Sequence, residues 1–246
     1  MKKTVDILGV KFSDLGIDGS ADYILEMMQE SGFHYVFTPN SEMVMAARGD
    51  KNFEDVLNSA NLLTADGIGI VYASMILGRK ISGRAAGYDI SLKLMEKMAA
   101  SGKTLYLFGA APGIAETAAE KLKEKYPGLN IAGLHDGYFD AEEEKKIIAD
   151  INEKKPDGLF VCLGSPKQEK WIFANKDKLN VKVAMGLGGC LDVYAGNVKR
   201  APDIFIKFGL EWLYRLMKEP KRFFRMLALP KFMLKVIWHK ITKKGA

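Results

Sequence analysis

Apolar positions along this chain switch between two periods. Short apolar runs at residues 34–38, 61–65, 104–108, 130–134, 159–163 and 181–185 suit β-strands. Between them apolar residues recur at helical spacing, most clearly over 87–101, 114–126, 141–154 and 167–175. Strand–helix alternation with short connections predicts an α/β fold: a Rossmann-like, mostly parallel sheet with helices on both faces. Ligands on such sheets sit beyond the carboxyl ends of the strands, so the residues just after each strand carry the functional information.

Those residues are Thr38-Pro39-Asn40, Asp66-Gly67, Gly109-Ala110-Ala111-Pro112-Gly113, Asp136-Gly137-Tyr138-Phe139, Gly164-Ser165-Pro166-Lys167-Gln168-Glu169 and Gly186-Leu187-Gly188-Gly189. Any one of these has an ordinary explanation as a turn. Six of them on one rim predict a polar-lined pocket for a large ligand. The segment from Gly109 to Gly113 joins a strand to a helix, where backbone N–H groups and the helix N-terminus suit a phosphate. It is neither Gly-x-Gly-x-x-Gly nor a Walker loop, which fits a phosphate-bearing nucleotide better than NAD. The turn containing Gly188 allows close backbone approach, with Asp192 beyond it as an acceptor for a ribose or base; tight packing alone explains it equally well. Asp66 either caps the apolar helix that follows Gly67 or serves as a general base. Arg84, in a glycine-containing loop, is either a surface charge or a grip on a diphosphate.

Residues 199–246 break the pattern. They hold thirteen of the chain's 36 Lys and Arg but three of its 30 acids, a net of about +10, leaving 23 bases against 27 acids in residues 1–198. Pro220 and Pro230 divide this tail into three amphipathic pieces, each proline suiting the first turn of a helix. In the last piece Phe232, Met233, Val236, Ile237 and Ile241 form one apolar stripe. A basic segment this rich in aromatic and aliphatic bulk fits an anionic membrane surface, each cation there contributing about 1 kcal/mol. The alternative is a helix packed on the core of the body. The expected organisation is a catalytic domain over 1–198 and a basic, membrane-associating appendage over 199–246, with self-association of the apolar tail as a further expectation away from lipid.

Composition narrows the remaining choices. No run of eighteen apolar residues occurs, and the first residues lack an apolar signal core, so a cytoplasmic, peripheral location is expected. Cys162 and Cys190 lack metal or redox spacing and are expected as free thiols; the three histidines are scattered, and no metal site or cofactor is expected. Basic charge confined to a strongly apolar tail argues against nucleic acid. Asp-x-Asp, a common cation-holding motif of sugar-nucleotide enzymes, is absent.

Taken in order, Thr38-Pro39-Asn40, Asp66-Gly67, Arg84-x-x-Gly87, Gly109-x-x-Pro112-Gly113, Gly137-Tyr138-Phe139, Leu163-Gly164-Ser165-Pro166-Lys167-Gln168-Glu169, Gly188-Gly189-x-x-Asp192, Arg200-Ala201-Pro202 and Gly209-Leu210-Glu211-Trp212-x-x-Arg215 make the chain resemble the WecG–TagA–CpsF family of bacterial glycosyltransferases from about Thr4 to Arg225. The likeness is nearest to the branch whose donor is UDP-N-acetylmannosamine and whose product is the linkage unit of wall teichoic acid. It implies a metal-independent, inverting transfer from a UDP-sugar to undecaprenyl-diphosphate-linked N-acetylglucosamine on the cytoplasmic membrane face. It further implies that Asp66 is the base and that Thr38, Asn40, Arg84 and Gln168 are polar substrate-binding residues. Gly109, Gly113, Tyr138, Gly188 and Asp192 are expected on the nucleotide side, and Arg215, Arg222 and Arg225 at the lipid diphosphate. The competing expectations are another donor sugar (N-acetylmannosamine uronic acid or a hexose), a Rossmann-type NAD(P) oxidoreductase, or a non-enzymatic membrane scaffold.

Overall fold

The computed structural model describes residues 4–218, Pro220 and 223–243, without the side chains of Arg215, Phe224, Arg225 and Lys243. An antiparallel hairpin, β1 (Thr4–Ile7) and β2 (Val10–Ser13), leads into α1 (Gly16–Met27). The hairpin was not among the expected strands, although Val5, Ile7, Val10 and Phe12 carry the period-two signal and are all buried. There follow β3 (His34–Phe37), α2 (Ser41–Gly49), α3 (Lys51–Asn58), β4 (Leu62–Leu63), α4 (Ile68–Ile76) and α5 (Gly87–Ser101). The second half runs β5 (Thr104–Gly109), α6 (Ile114–Lys125), β6 (Asn130–His135), α7 (Ala141–Lys154), β7 (Gly158–Cys162), α8 (Lys167–Asn175), β8 (Val183–Gly186) and α9 (Cys190–Tyr194).

All six expected strands enter one sheet in the order β4-β3-β8-β7-β5-β6, and every pairing is parallel. Such a sheet is buried on both faces, which is why its strands read as continuous apolar runs. Successive side chains still divide between two cores. Tyr106, Phe108, Leu159, Val161 and Phe37 join residues of α2, α3, α4, α7 and α8 on one face. Leu105, Leu107, Phe160, Val36 and Met185 join α1, α5, α6 and α9 on the other.

Among the described residues the tail forms four helices where three pieces were expected: α10 (Asp203–Lys207), α11 (Glu211–Lys218), α12 (Phe223–Met226) and α13 (Ala228–Lys243). Pro230 lies in the first turn of α13, as its fixed φ allows. The single apolar stripe expected on this helix is corrected. Phe232 and Val236 are fully buried in the body's core beside α2 and α4, with Met233 packed against them. Leu234, Ile237, Trp238 and Ile241 are exposed. At 100° per residue these four lie on the side of the helix opposite Phe232 and Val236. The helix therefore has two apolar faces, and the wider spread of the second face comes from Leu234 and Trp238, which the one-stripe pattern left out.

Truncating Phe232 to Ala should destabilise the whole protein by about 3–5 kcal/mol, the range for a buried aromatic. Ile241→Ser should leave the melting temperature nearly unchanged. Paired thermal or urea unfolding of the two variants checks the assignment of faces.

Candidate active site

The connections fix where a ligand can enter. From β5 the chain passes through α6 on one face to β6, whereas from β7 it passes through α8 on the opposite face to β8. The two loops part above adjacent strands and leave a crevice at the carboxyl edge, the topological switch point of the sheet. A cavity of about 600 Å³ lies there. Ala110 and Ala111 line it from the β5 side, Cys162, Leu163 and Lys167 from the β7 side, and Gly137, Tyr138 and Phe139 from the loop after β6, with Asp192 of α9 completing the wall. The two strand ends meet closely: the Ala110 N–H donates to the Cys162 carbonyl at 3.1 Å, and a Cβ on Gly109 (φ 134°) would collide with that same carbonyl. Only glycine satisfies both the dihedral and the contact. Tyr138 and Asp192 thus line the cavity, while Gly109, Gly113 and Gly188 are not among its lining residues. Lys167 and Phe139 are lining residues absent from the expected site, although both lie in motifs quoted above.

A second cluster sits at the other end of the rim. The Asp66 N–H donates to the Pro39 carbonyl at 3.2 Å, and the Ala85 N–H donates to the Ala65 carbonyl at 2.9 Å, so the loop carrying Arg84 lies against the end of β4. Gly67 (φ 103°) takes the N-cap position of α4, which leaves Asp66 one residue outside the helix. The Asp66 side chain is 33% exposed, and its Oδ1 lies 3.7 Å from Arg84 Nε. Arg84 is not a loose surface charge: it is 19% exposed, and its Nη2 donates to Glu211 Oε2 at 2.7 Å. Glu211 opens α11, so this pair fastens the tail to the rim. A second tie lies upstream, where Arg200 donates from Nη1 and Nη2 to the two carboxylate oxygens of Asp89, each at 2.7 Å, and stacks over Tyr88 at 4.7 Å.

Two expected polar residues have structural partners. Asn40 Oδ1 caps α2 by accepting from the Met43 N–H at 3.0 Å. Gln168 is 4% exposed; its Oε1 accepts from the Gly188 N–H at 2.8 Å and its Nε2 donates to Glu169 Oε1 at 2.7 Å. The glutamine therefore ties α8 to the turn after β8 from below, which its sequence position could not reveal. Thr38, half-buried, packs against Gly87, where a Cβ would come within 2.8 Å of its Oγ1. Arg222 lies outside the described residues, as do the side chains of Arg215 and Arg225. Neither Cys162 nor Cys190 is in a disulfide. Among the described residues no group of three His, Cys, Asp or Glu could hold a metal ion, and no helix is long and apolar enough to cross a membrane.

A doubly wound parallel sheet with a crevice at its switch point, and an acid–arginine pair further along the same rim, places the protein in the α/β class, whose ligands bind at such crevices. Sequence comparison makes this specific. The model of the glycosyl transferase WecG/TagA/CpsF family matches residues 5–246, and the chain belongs to that family. Two relatives carry the name N-acetylglucosaminyldiphosphoundecaprenol N-acetyl-beta-D-mannosaminyltransferase. The protein from Bacillus spizizenii is 40% identical over 83% of this chain and 79% of its own length. That from Staphylococcus aureus (strain MRSA252) is 35% identical over 94% of this chain and 91% of its own. The chain is accordingly a glycosyltransferase, and the oxidoreductase and scaffold alternatives fall away.

Beneath the site lies a buried carboxyl. Glu169 is fully buried, and burial pushes it above the ordinary glutamate value against the lowering effect of its hydrogen bond from Gln168. On unfolding, such a group releases its proton at lower pH than it does when folded. Stability should therefore fall as pH rises from the ordinary glutamate value through the raised one, then level off. Glu169→Gln keeps an oxygen for Gln168 but removes the titration, so its melting temperature should vary less with pH and exceed that of the parent above neutrality. Melting curves from pH 4 to pH 9 read this directly.

Proposed function

We propose that the chain transfers N-acetylmannosamine from UDP-N-acetylmannosamine to N-acetylglucosaminyl-diphospho-undecaprenol at the inner face of the cytoplasmic membrane, building the linkage unit of wall teichoic acid. The relatives' shared name supports the acceptor and the sugar. The observation that carries the chemistry is Asp66, a partly exposed carboxylate at the end of β4 with Arg84 beside it. In the order β4-β3-β8-β7, three interstrand spacings or about 14 Å separate its strand from the one bordering the cavity. A nucleoside diphosphate seated in the cavity points its sugar along the rim toward this carboxylate.

The reaction is a single displacement. Asp66 accepts the proton of the acceptor's C4 hydroxyl as that oxygen attacks the anomeric carbon. The bond from this carbon to the β-phosphate oxygen breaks, and its electron pair leaves on UDP. From an α-linked donor, inversion gives the β linkage that the relatives' name prints. Arg84 holds Asp66 in place and, through Glu211, closes the tail over the rim. Thr38, Asn40 and Gln168 shape the sugar end, while Arg215, Arg222 and Arg225 contact the acceptor's diphosphate. No metal ion enters this scheme, so activity should survive chelation.

The decisive assay follows UDP release in EDTA with a panel of UDP-sugars and a lipid-diphosphate-linked N-acetylglucosamine acceptor. UDP-N-acetylmannosamine should be the preferred donor. Asp66→Asn should lower the rate by about 10²–10⁴-fold, the range for a lost general base, with UDP affinity and melting temperature unchanged. Near-normal turnover of this variant would remove Asp66 from the mechanism; a preference for the uronic acid or a hexose would move the donor.

Membrane contact belongs to the exposed face of α13, where Leu234, Ile237, Trp238 and Ile241 lie beside Lys231 and Lys235. Each large apolar side chain contributes about 1.5–3 kcal/mol on burial. Trp238→Ser with Ile241→Ser should thus weaken sedimentation with anionic vesicles by more than about tenfold while the fold is retained. Unchanged sedimentation would place the contact elsewhere.

A further inference from the structure

The leaving diphosphate carries charge that some cation must balance, and among the described residues the two arginines placed near the rim, Arg84 and Arg200, are already engaged. Arg84 faces both Glu211 and Asp66, and Arg200 is held by both oxygens of Asp89. The geometry points to Lys167 as the residue that holds the diphosphate of the nucleotide donor. This assignment rests on the reading that a UDP-sugar occupies the switch-point cavity.

Lys167 is the cation among the residues lining that cavity. It opens α8 on the β7 side, and its Nζ crosses to the β6 side, donating to the Gly137 carbonyl at 3.2 Å and lying 4.4 Å from the centre of the Phe139 ring. Among the described residues both contacts are neutral, and no carboxylate pairs with it. An ammonium has three donors, so one carbonyl leaves capacity for phosphate oxygens, and the aromatic face fixes its position without cancelling its charge. The N-terminus of α8, which has no side-chain cap, adds positive potential at the same place. Asp192 on the cavity wall supplies the opposite sign. One carboxylate and one ammonium divide the work of the cavity: Asp192 suits the hydroxyl and N–H donors of the nucleoside, and Lys167 suits the diphosphate.

Titration calorimetry of the full chain with UDP and with uridine tests this. Lys167→Met should weaken UDP by about tenfold or more, as expected for losing a hydrogen bond to a charged group, and leave uridine within about twofold. Lys167→Arg should recover most of the UDP affinity, and raised salt should weaken UDP in the parent more than in Lys167→Met. Lys167→Gln, which keeps a polar tip without the charge, should behave like Lys167→Met. Equal loss of UDP and uridine would show a structural role and overturn the assignment. Unchanged UDP affinity in Lys167→Met and Lys167→Gln would also overturn it while leaving the donor reading intact. Failure of the parent protein to bind UDP would overturn both.

Discussion

The site depends on a reversal in how the sheet is wound. Right-handed crossovers oblige the chain to place α6 on one face when it moves from β5 outward to β6, and α7 and α8 on the other when it returns through β7 to β8. Loops leaving neighbouring strands in opposite directions cannot close over the carboxyl edge, so a crevice opens between them. Its floor is the tight meeting of Gly109 with the Cys162 carbonyl, and its walls are the turns that the sequence marks with glycine, proline and aspartate. A side chain at residue 109 would push β5 and β7 apart and alter the floor itself.

Charge pairing divides the rim into two regions of different character. Around β4, an arginine lies between two carboxylates, one of which belongs to the tail, so its charge is taken up and the tail is mechanically linked to the rim. Ion pairs of this kind, partly withdrawn from water, contribute more to holding one geometry than to net stability. Around β5, β6 and β7 the balance is open, with Lys167 and Asp192 facing one cavity without a shared partner. In the proposed reaction, nucleotide binding and sugar transfer thus fall to separate electrostatic environments joined by a single sheet edge.

The tail is part of the body and not simply an attachment to it. Arg200 with Asp89, Glu211 with Arg84, and the burial of Phe232 and Val236 tie it at three places. A helix apolar on two opposite sides can be anchored in the protein and still offer a greasy surface outward. The helix that carries Trp238 and Ile241 packs on α2 and α4, and α4 begins two residues after the proposed base.

By itself the sequence determined the six parallel strands, because residues buried on both faces of a sheet must be apolar in unbroken runs. It also located the rim, because the turns at strand ends keep a local signature in Gly, Pro, Asn and Asp. The motifs around Asp66, Arg84 and Asp192 resembled one glycosyltransferase family, and comparison with known proteins placed the chain in it. Tertiary structure decided which of those residues face a ligand and which face each other. Asn40 caps a helix and Gln168 braces a turn, roles set by backbone groups near and far that residue spacing does not reveal. Pairing of Arg84 with Glu211 joins residues 127 positions apart. The two faces of α13 were illegible for the same reason: helical periodicity records which residues share a side, but only packing against α2 and α4 selects the side that is buried.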